Sequence, residues 1–338
     1  MRGGSKKWTL SNLPPRTSEQ FTTELVPLLK EQLAGSETDP WLNPPLSVMQ
    51  AQVDRVYGDG KYVVHANDVW AHLLQYRCND WRRSFLEHAL QGFKNIIQAS
   101  VEAKEEKLKK KLEEAEKRQA SGIQDDDNME VDADADDNDS FDLTHPEGIA
   151  DYVNWLLTDA PNKRTKCLHW RNWDETNPAE STGLFQEYLT LYTFATYLTF
   201  LDTMPVQYTR STKRPYAPLL IAIQAVEFTL ARWTTGEYVP PTRAQTDQFS
   251  SDNWGDFIEA VAPNKRVKVK RATKYLKTLQ SWSDDKWSDF IAAASMRKVQ
   301  KTRGQSRASS RASSRASSSA PEEAPVEEDE EDFVISYA

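Results

Sequence analysis

The densest concentration of reactive groups in the chain is cationic. Between Asn264 and Arg315 stand fifteen Lys and Arg against three Asp, a net charge of +12 inside a protein whose formal charge is −9. Lys265, Arg266, Lys268, Lys270 and Arg271 fall within seven residues, and Lys274, Arg297, Lys298, Lys301 and Arg303 extend the run. Cations at this density displace condensed counterions from a phosphate backbone, so DNA or RNA is the expected partner and these ten residues are the expected contacts. The competing reading is a solvated basic face neutralised by the chain's own acidic segments.

Three Arg-Ala-Ser-Ser tetrads begin at Arg307, Arg311 and Arg315. Their hydroxyls, Ser309, Ser310, Ser313, Ser314, Ser317 and Ser318, are candidate phosphorylation sites, because each phosphoryl group would bring roughly −1.5 to −2 charges into the basic region and weaken its grip on a polyanion. A plain Arg/Ser spacer fits the same residues. The tail then turns acidic from Glu322 to Asp332 and closes on Phe333-Val-Ile-Ser-Tyr337, a composition suited to a solubilising tail, a docking peptide or an internal mimic of nucleic acid.

Signatures of catalysis are missing from the sequence: it holds no Gly-rich phosphate loop, G-x-S-x-G, H-E-x-x-H or paired C-x-x-C. No catalytic residue, metal ligand or cofactor is therefore assigned. Asp132, Asp134 and Asp136 have the odd spacing of a calcium loop, but Asp137 stands where it needs Gly and Leu143 where it needs Glu. Cys167 and His169 offer two metal ligands without a second pair. Asp151, Glu180, Glu187 and Glu227 would have to be brought together by folding before an unrecognised metal-dependent enzyme made sense.

Cys78 and Cys167 lie far apart, as a reducing compartment permits. The residues after Met1 form no apolar leader, and Leu219–Ile223 is far too short to span a bilayer. A nuclear or otherwise cytoplasmic, non-secreted protein without a membrane segment is expected.

The elements that must carry these groups read as all-α, an irregular multi-helix domain with an exposed charged helical arm, an acidic disordered insert and a disordered C-terminal tail. Residues 1–16 read as a disordered lead-in, and 17–100 as a helical region in which Pro27 kinks the first helix and Tyr62-Val63-Val64 is at most a lone strand. In 101–121, Glu105/Lys109, Glu106/Lys110, Glu113/Lys117 and Glu114/Arg118 lie four apart, which prolongs a solvated helix, with a coiled-coil or acidic protein partner as the alternative use. In the insert, 122–144, ten of the eighteen residues from Asp125 to Asp142 are acidic and none is basic. Residues 145–302 read as a second helical region forming one domain with 17–100. It contains two apolar central helices and a duplicated cap-and-helix unit, 249–262 and 282–295, which shares the pattern S-x-D-x-W-x-D-F-I-x-A. The tail is 303–338.

The segment from Ala222 to Glu237, followed by Phe249 and Trp254-Gly255-Asp256, resembles uncharacterised, lineage-expanded proteins of mushroom-forming fungi, some of them near mobile elements. The resemblance implies no activity and carries over no site residue. It does imply a nuclear or genome-associated setting.

Overall fold

The computed structural model describes residues 8–120, 141–159, 165–208, 213–262 and 265–298. After a 3-10 turn at Leu10–Asn12, the first α-helical segment is α1 (Ser18–Gln20), which passes through a π turn (Phe21–Leu25) and continues as α2 (Val26–Ala34). Pro27 has no N–H to return to the preceding turn. The helix answers by widening just before it, with the Val26 amide reaching back to the Phe21 carbonyl. After α3 (Leu46–Tyr57), residues 62–64 run outside any strand. The apolar periods on either side of Asn79-Asp80 then merge into one 52-residue helix, α4 (Val69–Ala120).

Beyond the insert come α5 (Pro146–Leu157), a hairpin of β1 (Trp170–Asn172) and β2 (Thr182–Leu184), and the helices α6 (Tyr188–Leu201) and α7 (Tyr216–Leu230). Helix α6 carries no charged residue and α7 only Glu227, so neither has a face suited to water, and both are buried almost throughout. Short α8 (Ser251–Trp254) leads to β3 (Phe257–Ala262) and β4 (Lys265–Val269), and the chain then forms α9 (Leu276–Gln280) and α10 (Asp284–Ser295).

The principal core sets Trp81, Phe85 and Phe93 of α4 against α6 and α7, with Trp287 and Phe290 of α10 closing it. One core thus draws on both sides of the acidic insert. Gly92 permits the close approach, because a Cβ there would lie 2.8 Å from the Tyr192 ring. A second cluster packs α2, α3 and the start of α4 around Phe21, Met49 and Trp70. A third is small and aromatic, built from Trp41, Phe228 and Trp254 with Phe249 against them.

Several sequence expectations change. Residues 1–7 lie outside the described set, but Leu13 is buried in the second cluster, so the lead-in is not loose as far as residue 16. The arm is exposed as expected: every residue from Glu102 to Lys117 faces solvent. Of the insert, 121–140 lies outside the described residues. Phe141 and Leu143 already pack against the core, and Asp142 pairs with Lys104 of the arm at 2.8 Å.

The duplicated unit is not duplicated in structure. Its second copy is α10, with Ser283 accepting from the Lys286 amide as the expected cap. Its first copy stops at Trp254 and becomes a strand. At Gly255 a Cβ would meet the Ser251 carbonyl oxygen at 2.5 Å. Val261 then favours extended chain where the second copy has Ala294, and Val267 and Val269 on the partner strand favour it as well. Residues 303–338 lie outside the described set, and among the described residues no helix is long and apolar enough to cross a membrane.

Candidate functional site

The expected basic contacts separate into two groups. Lys265, Arg266 and Lys268 lie in β4, which pairs antiparallel with β3 in a ribbon of two strands, from Phe257 opposite Val269 to Ala262 opposite Lys265. The root of this ribbon is clamped. The Asp39 carboxylate accepts from the Trp41 amide at 2.9 Å and the Asp256 amide at 2.8 Å, and Asp256 in turn accepts from the Thr273 amide and hydroxyl at 3.0 and 2.7 Å. Asp256 precedes β3 and Thr273 follows β4, so the two ends of the ribbon are tied together. Arg271, with its guanidinium 4.0 Å from the Trp254 ring centre, holds the same root to the third cluster. Lys270 and Lys274 are exposed nearby in sequence, with Lys274 beside the Tyr275 ring, while Phe257 and Ile258 are exposed at the start of β3.

The third cluster that mounts the ribbon is closed. Trp41 Nε1 donates to Gln224 Oε1 at 2.8 Å, and Gln224 Nε2 donates to the Trp254 carbonyl at 2.7 Å. Arg82 is buried with its guanidinium donating to the carbonyls of Pro40 and Leu42 and to Asn79 Oδ1.

Arg297 and Lys298 stand elsewhere, at the end of α10. Lys298 pairs with Asp202 at 2.8 Å. Arg297 lies over the Tyr188 ring at 4.9 Å. Lys301, Arg303 and the six serines lie outside the described residues.

Arg297 also borders the feature that sequence reasoning missed, a cavity of about 460 Å³ between α5, the β1–β2 hairpin, the start of α6 and the end of α10. Its walls are aromatic, with Tyr152, Trp155, Trp170, Trp173 and Tyr188 among them, and Arg171 joins Arg297 in lining it. Trp155 and Tyr152 stack at 6.2 Å, and Trp155 Nε1 donates to Glu175 at 2.5 Å. Glu187 reaches the cavity from the N-cap of α6, where it takes the amides of Leu189 and Thr190. Removal from water pushes its carboxyl up to about 7, against the pull of those amides. The signal available in the sequence was the crowding of Trp155, Trp170 and Trp173 around Arg171.

The remaining candidates do not converge. Glu227 lies 3.6 Å from Lys166, Glu180 accepts from Asn177 at 2.7 Å, and Asp151 is exposed. Cys167 and Cys78 are buried thiols. His169 is fully enclosed, its Nδ1 accepting from the Lys166 amide and its ring edge-on to Phe185 and Tyr275, and burial pushes its pKa down to about 3. Among the described residues no three His, Cys, Asp or Glu are grouped to hold a metal.

The chain matches no family model, no curated protein and no solved structure.

Proposed function

We propose that this is a non-enzymatic, nucleus-located protein that binds nucleic acid through the basic β3–β4 ribbon. The observation that carries the reading is that Lys265, Arg266 and Lys268 lie in β4, one strand of a two-stranded ribbon whose root is locked by Asp39, Asp256 and Thr273, with Lys270 and Arg271 following directly. The major groove of B-DNA admits a two-stranded ribbon, and a fixed root spares the entropy of ordering the ribbon on binding. The resemblance of residues 222–256 to uncharacterised fungal proteins, some of them near mobile elements, supports the nuclear setting.

The test is an electrophoretic shift of duplex DNA and of single-stranded RNA across a salt series, comparing the full chain with a variant in which Lys265, Arg266, Lys268 and Lys270 are changed to Gln. Each phosphate that the variant leaves unneutralised should flatten the slope of log affinity against log salt by roughly 0.7 to 0.9. An unchanged slope would falsify the ribbon as the nucleic-acid-binding element.

The second reading, a scaffold for acidic or coiled-coil protein partners, is favoured by one observation. On the arm, Leu108 and Leu112 lie four residues apart, 60% and 62% exposed, and present a narrow apolar strip.

A further inference from the structure

We infer that the aromatic cavity beside Arg297 receives a single unstacked nucleobase, with the attached phosphate drawn to Arg171 and Arg297. The inference deepens the nucleic-acid reading and rests on it for the polymer, but the ligand of the cavity itself is one nucleotide unit.

Four features choose this occupant. The volume, about 460 Å³, falls within the roughly 300 to 1,000 Å³ of small-ligand sites and is far below what a helix or a folded partner needs. The walls are π surfaces, which hold a planar ring of any sequence by stacking. Two arginines line the space, one from β1 and one from the end of α10, the latter with its guanidinium over the Tyr188 ring, and they favour an anion over the quaternary ammonium that an aromatic cage would otherwise suit.

The fourth feature is Glu187. It lines the cavity, and one of its carboxyl oxygens, Oε2, takes the Leu189 and Thr190 amides. Once ionised, above about pH 7, it offers about four lone-pair positions, so after capping α6 it keeps capacity for an N–H on the edge of a base. Guanine, whose Watson–Crick edge presents adjacent N–H donors, suits it best. The shape fits a base that leaves its stack to enter a pocket of rings and be read on its edge. Arg297 would then serve the same ligand as the ribbon while belonging to a separate site.

Isothermal titration of the full chain with guanosine 5′-monophosphate tests the inference. Inorganic phosphate, tetramethylammonium and uridine 5′-monophosphate are titrated in parallel. Trp173→Ala and Arg297→Ala are the variants, because both side chains lie outside the fully buried core and circular dichroism can verify that the variants fold. Saturable binding of the guanosine nucleotide is expected, tighter than uridine, with each variant weakening it about tenfold. Glu187→Gln should narrow the preference for guanosine over uridine.

Absence of heat and of competition at millimolar nucleotide overturns the inference. So does equal binding of phosphate alone or of tetramethylammonium, or binding indifferent to both variants. A polymer that shifts in the salt series while the mononucleotide does not bind leaves the ribbon standing and removes the cavity. A mononucleotide that binds without any salt-dependent shift of the polymer does the reverse.

Discussion

Trp254 and Trp155 sit among the same kinds of neighbours, aromatic rings with a buried or half-buried polar group and an arginine close by, yet one assembly is shut and the other open. Around Trp254 the polar atoms are used up inside the protein: Gln224 answers both Trp41 and the Trp254 carbonyl, and Arg82 directs its donors to Pro40, Leu42 and Asn79. Around Trp155 the rings line a cavity, with Glu187, Arg171 and Arg297 also in its lining. Closure makes a mounting, and incompleteness makes a receptor. Burial of polar groups costs little when each finds a partner and a great deal when it does not.

Truncating a ring should separate the two assemblies most sharply. Trp254→Ala is expected to lose about 3 to 5 kcal/mol in urea unfolding, because it empties a packed site, whereas Trp173→Ala, half-exposed at the cavity, should lose under about 1 kcal/mol. Similar losses at the two positions would erase the distinction. Gln224→Leu, which strands the Trp41 N–H and the Trp254 carbonyl without filling a void, should cost about 1 to 3 kcal/mol by the same measurement.

A smaller effect is expected from pH. Because the Glu187 carboxyl in the folded protein titrates near 7, above its ordinary 4.5, the folded state holds a proton that the unfolded chain has released. Stability tied to this group is therefore full below about pH 4.5 and declines as pH rises through 7. The midpoint temperature of Glu187→Gln should gain on that of the native protein from pH 4.5 to pH 8. A constant gap would mean that the carboxyl is hydrated like any surface acid. His169, buried neutral in both proteins, acts in the opposite direction as pH falls below 6.5 and cancels from this comparison. Smallest of all, Leu108→Ala on the arm should leave stability within about 0.5 kcal/mol, since the side chain touches water.

The helices are legible in the sequence because their apolar periods are long. Leu189, Phe194 and Leu198, or Leu219, Ile223 and Val226, leave no other arrangement for so much hydrocarbon. The strand at 257–262 reads as a helix because Phe257-Ile258-Glu259-Ala260 follows the pattern of the helical copy until Gly255 and the valines are weighed. The π turn before Pro27 reflects how a helix adapts to a missing donor, which composition does not record. The cavity depends on Arg297 meeting Tyr188 and on Phe141 meeting Trp155, contacts between residues distant in the chain with no local pattern. Glu187 stands out in the sequence by its charge, and its place ahead of an apolar run also fits a cap; only the fold shows the space it faces.

The principal core unites residues on both sides of the acidic insert, with Phe85 and Phe93 on one side and Leu189, Leu219 and Phe290 on the other. Scission of the backbone between 121 and 140 would therefore divide the covalent chain without parting the hydrocarbon that binds its halves. Two separately produced fragments, one ending at 120 and one beginning at 141, should find each other and reconstitute the whole.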